Sequence, residues 1–245
     1  MRRINIFTGF TVLLLALPAR AGQPVAEPKH LHEAFTLLKG LKLEDTHYNH
    51  GEPDVQWKGV NGAASFVSHT DCSGFIDALF EHTYGYTRDD YRKWFGKSRP
   101  TANVYHDVIV EQKGFTQIGA FQDTRPGDIL AVKYYTKKTD TGHVMLAAGA
   151  PRRIASKKPL VDGTEQWEIA VIDSSKSGHG PTDTRHKNGD NGKDHTGLGE
   201  GILRVYTHPD GKIAGFTWSS LSVSPFLDPK DEHLVVGRLK PGYKP

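Results

Sequence analysis

Thr70-Asp71-Cys72-Ser73-Gly74-Phe75-Ile76-Asp77-Ala78-Leu79-Phe80 holds the sole cysteine of the chain and opens a clean helical pattern. Apolar residues recur at Cys72, Phe75, Ile76, Leu79 and Phe80, the i, i+3, i+4, i+7, i+8 stripe of an amphipathic helix. Asp77 and Glu81 fall off that stripe, and Gly85 stands where the helix should end. Thr70 or Asp71 can cap the start, because a short oxygen-bearing side chain accepts from the first unpaired N–H groups. The spacing therefore predicts a thiol in the first turn of a helix, at the positive end of its dipole, where an anionic nucleophile is favoured. The competing reading is a small buried core cysteine.

The start of the chain is read apart from the fold. Arg2 and Arg3 form a basic lead, 11–17 is mostly apolar, and Ala19-Arg20-Ala21 fits a small-x-small cleavage site. Residues 1–21 thus read as a secretory signal peptide, which makes the protein exported, periplasmic or extracellular. The apolar run is too short to span a bilayer, and no later stretch suits an integral membrane segment. The full chain has 31 Lys+Arg and 28 Asp+Glu, but three of the arginines leave with the leader, so the mature balance is zero. The sequence pI of 8.8 is then no argument for nucleic acid as a partner. A single cysteine excludes an intramolecular disulfide, and one leftover thiol in an exported protein suggests a reactive residue or intermolecular pairing.

Residues 22–245 read as a single domain. A helical stripe runs through Leu31, Ala34, Phe35, Leu38 and Leu41, and residues 45–69 read as a long polar loop. Short helices are expected near 88–95 and after Pro100. The period then changes to strands at 129–134, 142–148, 166–173, 201–207, 212–218 and 233–239, with His208-Pro209-Asp210-Gly211 as a hairpin turn. Helices first and strands afterwards imply an α+β fold on a mainly antiparallel sheet. Residues 174–200, rich in Gly, Asp, Lys and His, break the strand pattern as a long loop insertion.

Two strand residues carry chemistry. His143 shares a strand face with Met145 and Ala147, and Asp173 ends a strand on the face of Ile169 and Val171. An acid there either anchors the following turn or points at something basic across the sheet. A thiol at a helix start, an imidazole on a strand and a polar residue on a later strand form the parts list of a cysteine hydrolase. The histidines and acids of 174–200 fit no zinc or calcium spacing, so neither metal nor cofactor is called for. Trp57, Tyr84, Tyr86, Tyr91 and Trp94 either line a cleft or pack the added helices.

Asp71-Cys72-Ser73-Gly74-Phe75, Arg125-Pro126-Gly127-Asp128-Ile129-Leu130 and Thr141-Gly142-His143-Val144 resemble, in that order, motifs of the NlpC family of papain-like cysteine peptidases. The resemblance covers roughly 48–239. It implies a papain-like fold, with the nucleophile-bearing helix on a five- to six-stranded mainly antiparallel sheet and an extra N-terminal helix. It also implies Cys72 as nucleophile and His143 as base, with Asp71, Ser73 and Tyr48 at the substrate pocket. The substrates it implies are peptide stems of bacterial cell walls, cut beside a D-glutamyl residue. The third catalytic residue of the family is most often His, Asn or Gln, whereas Asp173 is the candidate here, with His179 as a fallback. Two alternatives stay open: an amidase or acyltransferase acting on another small or lipid-linked amide, and a non-catalytic peptide- or glycan-binding module. Oligomeric state is not legible.

Overall fold

Residues 129–134 form the expected strand, but the sheet around it is larger than the sequence suggested. The computed structural model describes residues 27–137, 139–186 and 195–245; the leader read at 1–21 lies outside them. Four α-helices are present among the described residues: α1 (Lys29–Gly40), α2 (Cys72–Tyr84), α3 (Arg88–Phe95) and α4 (Ala102–Val110). The strands are β1 (Thr46–Tyr48), β2 (Asp54–Gln56), β3 (Val67–Thr70), β4 (Phe115–Gln117), β5 (Ile129–Tyr134), β6 (Gly142–Ala147), β7 (Arg152–Ile154), β8 (Glu165–Ser175), β9 (Gly197–Thr207), β10 (Ile213–Thr217), β11 (Phe226–Leu227) and β12 (Glu232–Leu239). None of these helices is long and apolar enough to cross a membrane.

The α+β, papain-like expectation of a helix on five to six strands is overturned. The fold is mostly β: a nine-stranded antiparallel sheet ordered β11-β10-β9-β8-β6-β5-β12-β4, with β7 paired to β8, and a separate three-stranded sheet, β1-β3-β2. The missed strands are short. Stretches of two or three residues such as β4, β7 and β11 carry no readable alternation, and they become strands only because a longer partner supplies the ladder. Residues 45–69, expected as a loop, contain the small sheet for the same reason, with β1 parallel and β2 antiparallel to β3.

The large sheet is buried on both faces, so β5 and β6 read as nearly continuous apolar runs. Ile129, Ala131, Val144 and Leu146 pack with the helices, while Leu130, Val132, Met145 and Ala147 pack on the opposite side with Val171, Leu203 and Phe216. Four strands lie between β10 and β12, yet the two come into contact, so the sheet curls around this second core. Burying one such aliphatic side chain contributes about 1.5–3 kcal/mol before entropy is counted. α2 packs its Phe75, Ile76, Leu79 and Phe80 stripe toward β6 and β8, which brings the helix start to the strand ends. β8 continues through Ser175 and β9 begins at Gly197, narrowing the expected break at 174–200 to 176–196.

Candidate active site

Cys72 is the first residue of α2. The Asp71 carboxylate caps the helix by accepting from the Gly74 N–H at 2.7 Å, and Gly85 closes it in the left-handed conformation at φ 70°. Behind Cys72, the Ser174 hydroxyl donates to the Thr70 carbonyl at 2.7 Å, tying the end of β8 to the entry of the helix. His143 is the second residue of β6. Gly142 before it has φ 147°, and a Cβ there would lie 2.0 Å from the Val132 carbonyl oxygen, so the strand can start this way only on glycine.

The β6–β8 ladder comprises Leu146↔Ile172 and Ala147↔Val171. His143 and Asp173 therefore meet where the strands run on without pairing each other. His143 Nε2 lies 2.5 Å from Asp173 Oδ2, and Cys72 lines the same cleft as this imidazole, near enough for its charge to act on the ring. With Nε2 given to Asp173, Nδ1 is the ring nitrogen that remains. All three residues are buried, Asp173 completely.

Asp173, rather than His179, is the group in contact with His143. His179 serves the carboxylate instead: its Nε2 is 3.1 Å from Asp173 Oδ2, and its Nδ1 donates to the Trp218 carbonyl at 2.8 Å. Arg185 Nη2 donates to Asp173 Oδ1 at 2.8 Å. The sequence reading missed Arg185. The signal for it was indirect, since an acid on an apolar strand face demands a buried cation. Part of the segment expected as a loop insertion thus sits directly against the Asp173 carboxylate.

The electrostatics follow from these contacts. Burial alone pushes the Asp173 carboxyl up, but Arg185, His179 and the hydrogen bond from His143 outweigh it and hold it well below the usual carboxylate range. Burial likewise disfavours a charged His143, yet Cys72 and Asp173 together raise it from 6.5 to about 10. The imidazole is thus favoured as a cation beside the Asp173 carboxylate.

Cys72 and His143 open on a cleft of about 820 Å³, walled in part by Tyr48, Asp71, Ser73, Lys176 and Trp218. Burial first, then the nearby Cys72 and Asp71 charges, raises the Tyr48 phenol. The Lys176 ammonium lies 5.5 Å from the centre of its ring. Asp71 and Ser73 border the cleft, but they act on each other. The Ser73 hydroxyl and the Gly74 N–H donate to Asp71 Oδ1, while Arg99 is 3.3 Å from Oδ2.

A second cleft of about 840 Å³, lined by residues including Leu31, Phe35, Tyr84, Tyr86 and Tyr243, shares no residue with the first. His30 there is already bonded to the Tyr84 hydroxyl and the Gly127 carbonyl, so these walls are largely apolar. Of the sequence's aromatic set, Tyr91 and Trp94 are core and Trp57 stacks on His82 at 4.0 Å. Among the described residues, no group of three or more His, Cys, Asp or Glu could hold a metal ion. Asp190 and Asp194, considered as ligands from sequence, lie outside the described residues.

No family model and no solved structure matches the chain. It is 35% identical over 224 residues to an uncharacterized protein of Acanthamoeba polyphaga mimivirus, an alignment covering 87% of this chain and 97% of the viral one. The chain belongs to the same family as that protein.

Proposed function

We propose that this family member is a thiol hydrolase that opens an amide bond through an acyl-enzyme on Cys72. The observation that carries the reading is the buried His143–Asp173 contact, with Cys72 and His143 lining one cleft at the start of α2. In this mechanism the sulfur anion attacks the carbonyl carbon, a C–S bond forms, and the carbonyl electrons move to oxygen. The Cys72 N–H, which has no acceptor within its own helix, faces that oxyanion. On collapse the C–N bond breaks and His143 Nδ1 gives its proton to the departing amine. Water then attacks the thioester, His143 takes the water's proton, and release of the acid restores the thiolate.

The likeness of residues 71–75, 125–130 and 141–144 to NlpC motifs supports cell-wall stem peptides as the substrate class, and the leader read at 1–21 supports an exported enzyme. The test compares wild type with Cys72→Ala on purified muropeptides, with products and intact protein read by mass spectrometry. The expected result is Cys72-dependent cleavage and a transient acyl mass on the protein. Absence of both, in a wild-type sample that is folded, overturns the proposal.

A further inference from the structure

We infer that Arg185 is a positioning residue for this reaction: from the segment between β8 and β9 it locks the Asp173 carboxylate that aims His143. The inference rests on the reading of Cys72 as nucleophile. Arg185 is 1% exposed, and a guanidinium carries five N–H bonds. Nε donates to Asp183 Oδ1 at 2.8 Å, and Nη2 donates to Asp183 Oδ2 and Asp173 Oδ1, both at 2.8 Å. Nη1 donates to the Asp173 carbonyl at 3.1 Å and the Gly197 carbonyl at 3.0 Å. Every donor has an acceptor.

This geometry removes the freedom Asp173 would otherwise have. Its Oδ1 is held by Arg185 and its Oδ2 by His143 and His179, so rotating the carboxylate away from His143 breaks the contact to Arg185 as well. Arg185 also grips the backbone of both flanking strands, fixing the carboxylate's base as well as its tip. Asp183 anchors the guanidinium from the far side, and is itself held by the His179 and Arg185 N–H groups at 2.7 and 2.9 Å.

The sequence of β9 makes room for this arrangement. In Gly197-Leu198-Gly199-Glu200-Gly201, a Cβ on Gly199 would lie 2.6 Å from Arg185 Nε, and one on Gly201 would lie 2.3 Å from Asp183 Oδ2. Alternate residues of a strand share a face. The glycine run therefore clears one face of β9 for the Arg185–Asp183 pair, which a loop lying on the surface would not need.

The experiment follows Cys72 alkylation by iodoacetate against pH in wild type, Arg185→Met and Arg185→Lys, with folding monitored by circular dichroism. Loss of the cation lets Asp173 take up a proton more easily. In Arg185→Met the acid limb should therefore move upward by about one to three pH units. Lysine restores the charge but not the fork. Arg185→Lys should keep the acid limb near its wild-type position while the maximal rate falls roughly tenfold to a hundredfold through lost aim. If Arg185→Met does not fold, Arg185→Lys decides alone: a profile and maximal rate equal to wild type overturn the inference. So does a folded Arg185→Met that loses rate equally at every pH. A wild-type Cys72 no more reactive than an ordinary thiol defeats the hydrolase reading itself, which separates the two failures.

Discussion

Replacing Asp173 by Asn probes the site at its least solvated member. The side chain keeps its shape but loses its charge, so His143 loses its carboxylate and Arg185 keeps only Asp183 as a carboxylate partner. The difference between 6.5 and about 10 for His143 corresponds to roughly 5 kcal/mol in favour of the imidazolium, drawn from Cys72 and Asp173 against burial. A hydrogen bond to a charged partner accounts for about 1.5–3 kcal/mol of this. Asp173→Asn should therefore lower His143 by about one to two pH units. Because the folded protein raises this group, the linked stability is fully present below 6.5 and is lost as pH climbs through about 10. The variant loses it earlier, and the alkaline limb of iodoacetate modification moves to lower pH. Unfolding in urea should cost about 3–5 kcal/mol less than in wild type, toward the lower end because Asp183 still pairs with Arg185. The assay is the imidazole NMR titration of His143 alongside the alkylation profile. A folded variant whose His143 titrates as in wild type would refute the reasoning.

Three further outcomes are expected. Asp173 is the depressed case: its contribution is present above 3.8 and is lost as pH falls, so acid unfolding of wild type should be steeper than that of Asp173→Asn, as read by circular dichroism. Asp71→Ala removes the helix cap and leaves Arg99 without this carboxylate; a loss of about 0.5–2 kcal/mol in urea unfolding is expected, and no loss would show that the cap does not hold α2. Gly142→Ala forces a Cβ against the Val132 carbonyl, at a cost of order 1–3 kcal/mol, and should also slow Cys72 alkylation by shifting His143; unchanged melting and rate would contradict the close approach.

Much of the helical half was legible because its signals are local. The stripe from Cys72 to Phe80, the Asp71 cap and the Gly85 stop require only neighbouring residues to be read, and α2 runs from Cys72 to Tyr84 as the pattern indicates. Asp77 is where local spacing says too little. It falls off the apolar stripe, yet it is buried, where it receives the hydroxyls of Tyr105 and Tyr91, at its carboxyl and its carbonyl respectively. Burial pushes its carboxyl well above the usual range. Helical spacing cannot show that two later helices will close over the polar flank. The long strands were found because each carries enough residues to show a period, whereas the short ones were not.

The site divides along the same line. Sequence alone determined that Cys72 begins a helix and that His143 and Asp173 lie on strands, since cap chemistry and period are properties of the local chain. Tertiary structure decided that these three meet, that Asp173 rather than His179 addresses the imidazole, and that Arg185 holds Asp173 from behind. It also decided that the sheet has nine strands and curls. The physical reason is distance along the chain. Cys72, His143, Asp173 and Arg185 are joined by strand pairing and by a buried charge seeking its counter-charge, and neither leaves a periodicity in the sequence.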